Sequence, residues 1–313
     1  MAFDNEAYWP NGARLAVSVS MQFEAGGQPV SGAGGPITEP IEGGLPDLPT
    51  NSYFDYGPNE GVPRMLRLWD KHGIKVSSFM IGEAVDKHAA LAAEVARRGH
   101  ECCAHGRHWQ NQYTLPRDEE RQWIQDSVES IERATGTRPS GYNCYWMRTS
   151  ANTLEILQEL GFAYHIDDMS RDEPFLQTIN GKPFVTVPYT IHMNDIASFN
   201  FANYSPAGHL QCLTDEFDQL YEEAADRRRM MVLSCHDRIS GHANPVRVLD
   251  RFLAYAKGHP GVVFPRKDEI AAWALKTPEI TPHVDRAPAP VSGLPGPSGA
   301  GLSATPPTAK AAE

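Results

Sequence analysis

Residues 97 to 109, Arg-Arg-Gly-His-Glu-Cys-Cys-Ala-His-Gly-Arg-His-Trp, decide how this chain is read. A short strand, Glu101 to Ala104, runs straight into a loop holding His105, a flexible glycine, Arg107, His108 and Trp109. In sheets with helical crossovers, the loops after strand C-termini can vary without disturbing the core, and ligands bind there. A lone histidine is often only a half-buried structural group. An imidazole, a guanidinium and an indole gathered at one strand end instead make a polar site.

Outward from this stretch, short apolar strands alternate with polar loops and amphipathic helices. Strands are expected at Arg14 to Phe23, Ile74 to Ile81, Gly141 to Tyr145, Phe162 to Ile166, Pro183 to Thr190, Met230 to Cys235 and Val262 to Phe264. Helices are expected at Gly61 to His72, Ala84 to Arg98, Arg117 to Thr135, Asn152 to Leu160, Asp215 to Arg229, Pro245 to Lys257 and Lys267 to Ala274. The first of these helices presents Val62, Met65, Leu66, Leu68 and Trp69 on one side, and the third opens on acidic residues that suit the helix dipole. Such alternation predicts an α/β chain of parallel strands joined by right-handed crossovers, closed or nearly closed into a barrel.

With 313 residues and 41% hydrophobic content, one large domain over about 1–286 is expected. Residues 25–56, rich in Gly and Pro and without periodicity, are too long for a mere connection and read as a lid or wrapping arm. Residues 287–313, nearly all Pro, Ala, Gly, Ser and Thr, bury too little apolar area to offset ordering entropy, so a disordered tail is expected there. The net charge of −11 offers no basic face, which argues against nucleic acid or an anionic membrane as partner. Five cysteines, odd in number and without zinc or redox spacing, imply a reducing compartment. The N-terminus lacks the pattern of a signal peptide, and no run approaches the ~20 apolar residues of a membrane span. A cytoplasmic protein is expected, as a homo-oligomer; Phe54 and Tyr56 of the arm could anchor a neighbour or equally cover their own barrel.

Four strand ends carry chemistry: Glu24, His105, His236 and Asp168. Glu24, followed by Ala25 and two glycines, could act as a general base once partial burial raises its pKa. His236 beside Asp237 could shuttle protons if another group fixes its tautomer. The carboxylates around Asp168 could orient an imidazole. On a barrel all four would share one rim, and their convergence favours catalysis over four separate structural roles.

These residues resemble the polysaccharide deacetylase (NodB-homology) superfamily, and more closely its allantoinase and cyclic-imide-hydrolase branch, over roughly Arg14 to Trp273. The resemblance is carried by Gln-Phe-Glu-Ala-Gly-Gly at 22 to 27, Phe-Asp-Tyr-Gly-Pro-Asn-Glu-Gly-Val-Pro-Arg at 54 to 64, Gly-His-Glu through His105-Gly106, Arg148-Thr-Ser-Ala-Asn-Thr-Leu, Asp167-Asp168 with Asp172-Glu173-Pro174, Val-Pro-Tyr-Thr with Asn194-Asp195, and His-Pro-Gly-Val at 259 to 262. It implies a distorted, incomplete (β/α) barrel and hydrolysis of a non-peptide C–N bond. It also implies departures. Glu24 matches the base and His105 the first metal histidine, but Ala25 and Trp109 stand where the other two metal ligands belong. His105 and His108, with Glu24 as a third ligand, could still hold a zinc ion; catalysis without a metal is the expectation. Asn143 to Trp146 lack the arginine that tethers the base in this family. His236 matches the general acid, with Asp168 as its orienting partner.

The expected activity is opening of a cyclic amide, imide or ureide, or cleavage of a small amide. Glu24 would deprotonate a water held by His105, backbone N–H groups near Tyr145 would stabilise the oxyanion, and His236 would protonate the leaving nitrogen. Arg148, Asn194 and Asp195 would anchor the substrate and Trp109 would stack on its flat face. The alternatives are de-N-acetylation of an amino sugar and a degenerate member that binds a small molecule without converting it.

Overall fold

The computed structural model describes residues 8–37 and 39–286; the expected tail at 287–313 lies outside them. Strand β1 (Leu15–Phe23) is buried along its whole length because it is paired on both sides, with β2 (Ser77–Met80) and with β8 (Met230–His236). From β2 the sheet continues through β3 (Glu101–Ala104), β4 (Gly141–Tyr142), β5 (Tyr164–His165), β7 (Lys182–Thr186) and β6 (Phe175–Ile179), while β9 (Val262–Val263) lies along the start of β1. Every pairing is parallel except β6 with β7. The sheet curls into an incomplete barrel, as the alternation of strands and helices predicts. Strands β6 and β8 do not pair, and the seam is spanned by the Asn194–Ser234 bridge and by Met230 N–H donating to Asp172 O.

The period of two along β1 separates two cores. Leu15, Val17, Val19, Met21 and Phe23 join the layer of helices outside, which includes Val62, Met65, Leu66 and Trp69 of α2 (Val62–His72) and Trp123, Ile124, Val128 and Ile131 of α5 (Arg117–Thr135). Ala16 instead joins Phe79, Cys103, Tyr164, Val185, Val232 and Ile270 inside the sheet. The interior ends at α9 (Lys267–Lys276), whose first N–H groups donate to Ser77 Oγ at 2.8 Å and to Glu101 Oε2 at 3.2 Å. The strand starts are thereby plugged, and the strand ends remain for a site.

Three elements depart from expectation. The helix expected at 84–98 is two, α3 (Gly82–Lys87) and α4 (Ala89–Arg97), broken at His88, beside which the arm passes at Gly26. The antiparallel hairpin β6–β7 replaces a parallel unit, and its turn, Asn180-Gly181, has positive φ at both residues, the geometry such a hairpin favours. Helix α7 (Pro206–Glu223) begins nine residues before the expected Asp215, capped by Ser205 Oγ with Pro206 in its first turn. Helices α6 (Thr153–Glu159) and α8 (Ala243–Lys257) fall where the periodicity put them.

Among its described residues the arm carries α1 (Leu48–Tyr56), capped by Asp47, and is tied together by Gln28 to Asn51 at 3.1 Å and Asn51 to Val30 O at 3.0 Å. Among the described residues no helix is long and apolar enough to cross a membrane.

Candidate active site

Glu24 follows the last residue of β1, and the β1/β8 register sets Gln22 level with His236, so two residues further on Glu24 and Arg238 meet. Glu24 Oε2 accepts a hydrogen bond from Arg238 Nη1 at 2.6 Å. Its Oε1 lies 3.0 Å from His105 Nε2 and 3.6 Å from His236 Nε2. All four residues are buried, with Glu24 4% and Arg238 6% exposed. A carboxylate, a guanidinium and two imidazoles from β1, β3 and β8 thus form one closed cluster.

Each ring is set from behind. A carbonyl can only accept, so His105 Nδ1 donates to Asn143 O at 2.8 Å and Nε2 is left for Glu24. Asn143 is itself held by Asp167, which accepts from Asn143 Nδ2 at 2.7 Å and from Cys144 N–H. His236 Nδ1 lies 2.5 Å from Asp195 Oδ1, while Asp195 Oδ2 accepts from the His236 N–H and from Ser240. Asp237 accepts from the N–H groups of Glu24 and Ala25 at 2.8 and 2.9 Å, fastening the end of β1 to the loop after β8. That loop needs glycine at 61, where a Cβ would come within 2.0 Å of Asp237 O.

The charges act on one another. Burial alone would raise the Glu24 pKa, but Arg238, His236 and His105 outweigh it and hold the carboxyl far below its ordinary range. Burial would lower His236, yet Asp195 and Glu24 raise it above the usual imidazole value. Asp195, despite complete burial, is lowered by His236 and Ser240. Glu24 is therefore ionised and His236 is the group that keeps its proton. The raised base pKa expected from burial is corrected: the cations win.

Aromatic walls enclose the cluster. The Arg238 guanidinium lies over the Trp109 ring at 4.5 Å and 5.5 Å from Phe54 of the arm, and Phe54 meets Trp109 edge-on at 5.0 Å. Trp109 Nε1 donates to Glu24 O at 3.1 Å. Tyr145 stands 6.0 Å from Trp109 and 6.3 Å from His105, and burial with the nearby Glu24 pushes its phenol up to about 12, so it stays an O–H donor. Next to it Trp146 and Met147 hold positive φ, a strain that non-glycine residues tolerate mainly where the surroundings impose it.

The expected site residues sort as follows. Glu24, His105, His236, Trp109 and Tyr145 are brought together. Asp168 is not the partner of His236; it pairs with Arg286 at 2.6 Å. Asp195 takes that place and, wholly buried, cannot anchor a substrate. Asn194 is turned inward to Tyr189 and to the Ile196 N–H. Arg148 is exposed, with no side-chain bond among the described residues. His108 turns to Gln110 at 2.9 Å and packs on Trp123, away from His105. The missed residue is Arg238. An absent tether at 143–146 was the available signal that a cation must come from elsewhere.

Polysaccharide deacetylases typically hold a metal ion on three side chains. Among the described residues no group of three His, Cys, Asp or Glu side chains is gathered to hold an ion. Ala25 offers no ligand atom, the Trp109 N–H is spent on Glu24 O, and a guanidinium already sits against the carboxylate. The residues do not fit a metal here.

The fold and cluster define a hydrolase of amide C–N bonds built on an incomplete barrel. The polysaccharide deacetylase family profile matches residues 50–165. PuuE allantoinase superimposes with a TM-score of 0.79 at 29% identity, covering 88% of this chain and 95% of that one. A Schizosaccharomyces pombe protein with a provisional polysaccharide deacetylase name is 28% identical over 86% of this chain and 93% of its own length. The peptidoglycan deacetylase of Helicobacter pylori is 25% identical over 69% and 84%. The chain thus carries a stretch matching the polysaccharide deacetylase (NodB-homology) domain and is similar to an allantoinase and to polysaccharide deacetylases of that kind.

Proposed function

We propose that this protein hydrolyses a C–N bond of a small, planar amide, with a cyclic amide, imide or ureide as substrate class. The observation that carries this reading is the closed cluster of Glu24, His105, His236 and Arg238 beneath Trp109, Phe54 and Tyr145. An aromatic-walled site roofed by its own arm suits a flat ring better than a hydrated polymer, which needs an open groove. The allantoinase among its structural neighbours supports the same class.

In this reading Glu24 accepts a proton from a water that attacks the carbonyl carbon, and His105, fixed through Asn143, keeps the carboxylate aimed. A carboxylate of low pKa is a weak base but is ionised at every working pH. His236, protonated and oriented by Asp195, delivers its Nε2 proton to the leaving nitrogen. With Glu24 Oε1 only 3.6 Å from His236 Nε2, the proton taken from water can return to His236 and reset the site. The Tyr145 phenol supplies a further donor at the wall.

De-N-acetylation of an amino sugar is the second reading, favoured by the names of the yeast and Helicobacter relatives. Turnover of hydantoin, succinimide, dihydrouracil and allantoin, set against N-acetylglucosamine oligomers, separates the two. Acetate release with inert cyclic substrates would overturn the first.

A further inference from the structure

The geometry points to Arg238 as the group that receives the negative charge on the substrate's carbonyl oxygen, a fixed monocation doing there the work of an electrophile. The inference rests on the amide-hydrolase reading and names the residue for a step that reading leaves open. Arg238 Nη1 spends its hydrogens on Glu24 Oε2 at 2.6 Å and Asp237 Oδ1 at 3.4 Å. Its Nη2 and Nε hydrogens meet no protein acceptor among the described residues, and neither nitrogen is among the fully enclosed polar atoms that lack a partner. A guanidinium carries five N–H donors in a rigid plane, so an edge remains to be used. The plane is held from both ends, by two carboxylates on one side and the Trp109 face at 4.5 Å on the other. Holding a donor rigidly where charge develops is what makes such stabilisation large.

Position supports the assignment. A water deprotonated by Glu24 attacks a carbon next to that carboxylate, and the group bonded to the same carboxylate is Arg238. As the O–C bond forms, the carbonyl electron pair moves onto oxygen beside the free guanidinium edge. As the intermediate collapses, C=O re-forms, the C–N bond breaks, and the nitrogen takes its proton from His236. The product gains a carboxylate, which the same guanidinium can bind.

The test uses the full-length protein. Arg238→Met should lower the pH-independent kcat by about 100- to 1,000-fold, the effect of losing one such donor, with KM changed far less. Guanidinium ion below denaturing concentration should restore part of the rate, and Arg238→Lys, which keeps the charge, should fall between. A residue that merely steadied Glu24 would behave otherwise: its loss would bring an acid limb into the pH profile while leaving the plateau intact, and that result would overturn the proposal. A second arm needs no known substrate. Acetate, the simplest carboxylate product of amide hydrolysis, should bind the wild type at least tenfold more tightly than Arg238→Met by calorimetry; equal affinity counts against the assignment. A third arm reads metal content after incubation with zinc and desalting. Stoichiometric zinc lost in His105→Ala would give the electrophile's role to the ion and remove it from Arg238. If no cyclic amide is turned over yet the acetate difference holds, the substrate class fails and Arg238 stands.

Discussion

Replacing Asp195 by Asn tests the acid half of the site. Asp195 is wholly buried, 2.5 Å from His236 Nδ1, and also receives the His236 N–H and the Ser240 hydroxyl. The wild-type His236 pKa is raised because Asp195 and Glu24 overcome burial. With the charge of Asp195 gone, burial acts against Glu24 alone and the pKa falls. The sign follows. A raised histidine pKa contributes stability that is present below the unfolded value and is lost as pH rises through the folded value. The alkaline limb of kcat/KM, which marks loss of the His236 proton, therefore lies above 6.5 in the wild type and moves to lower pH in Asp195→Asn. Breaking a buried charged pair costs about 3–5 kcal/mol, and Asn should sit near the lower end because it still accepts a hydrogen bond. Loss of a well-placed acid costs roughly 100- to 10,000-fold in rate. Nitrogen-15 NMR of the His236 ring follows the pKa without any substrate, and denaturant melts follow the stability. An unmoved ring titration would refute the claim that Asp195 holds this proton.

Glu24→Gln should lower kcat by at least about 100-fold. It should also lower stability by about 3–5 kcal/mol, because Arg238 is left buried against a neutral partner; a variant that is inactive but as stable as the wild type would contradict the Glu24–Arg238 pairing. Asp168→Asn, at a surface pair with Arg286, should change stability by less than about 1 kcal/mol and leave kcat unaltered; a large loss of rate would return it to the site. Gly61→Ala drives a Cβ to 2.0 Å from Asp237 O and should displace the loop bearing His236 and Arg238, seen as a lower melting temperature together with lost activity. Normal activity would show that the loop tolerates the shift.

The barrel was legible because it is local in origin. The period of two in β1, the apolar face of α2 and the whole of α5 fall where the pattern put them, since burial writes itself into nearby residues. The hairpin at Asn180-Gly181 and the start of α7 at Ser205-Pro206 carried turn and cap signals as well, Asn-Gly for the one and Ser-Pro for the other.

By itself, then, the chain's order of residues determined the incomplete α/β barrel and the strand ends from which Glu24, His105 and His236 project. Only the tertiary structure decided which partner each would have. Arg238 reaches Glu24 across a sequence separation of 214 because β1 and β8 pair in a particular register, and Asp195 displaces Asp168 because the seam carries its segment beneath β8. The direction of the Glu24 shift belongs to the same level. Desolvation is foreseeable for any buried carboxyl, whereas the cations that reverse it come from other strands, and Coulomb energy depends on distances that no linear pattern encodes.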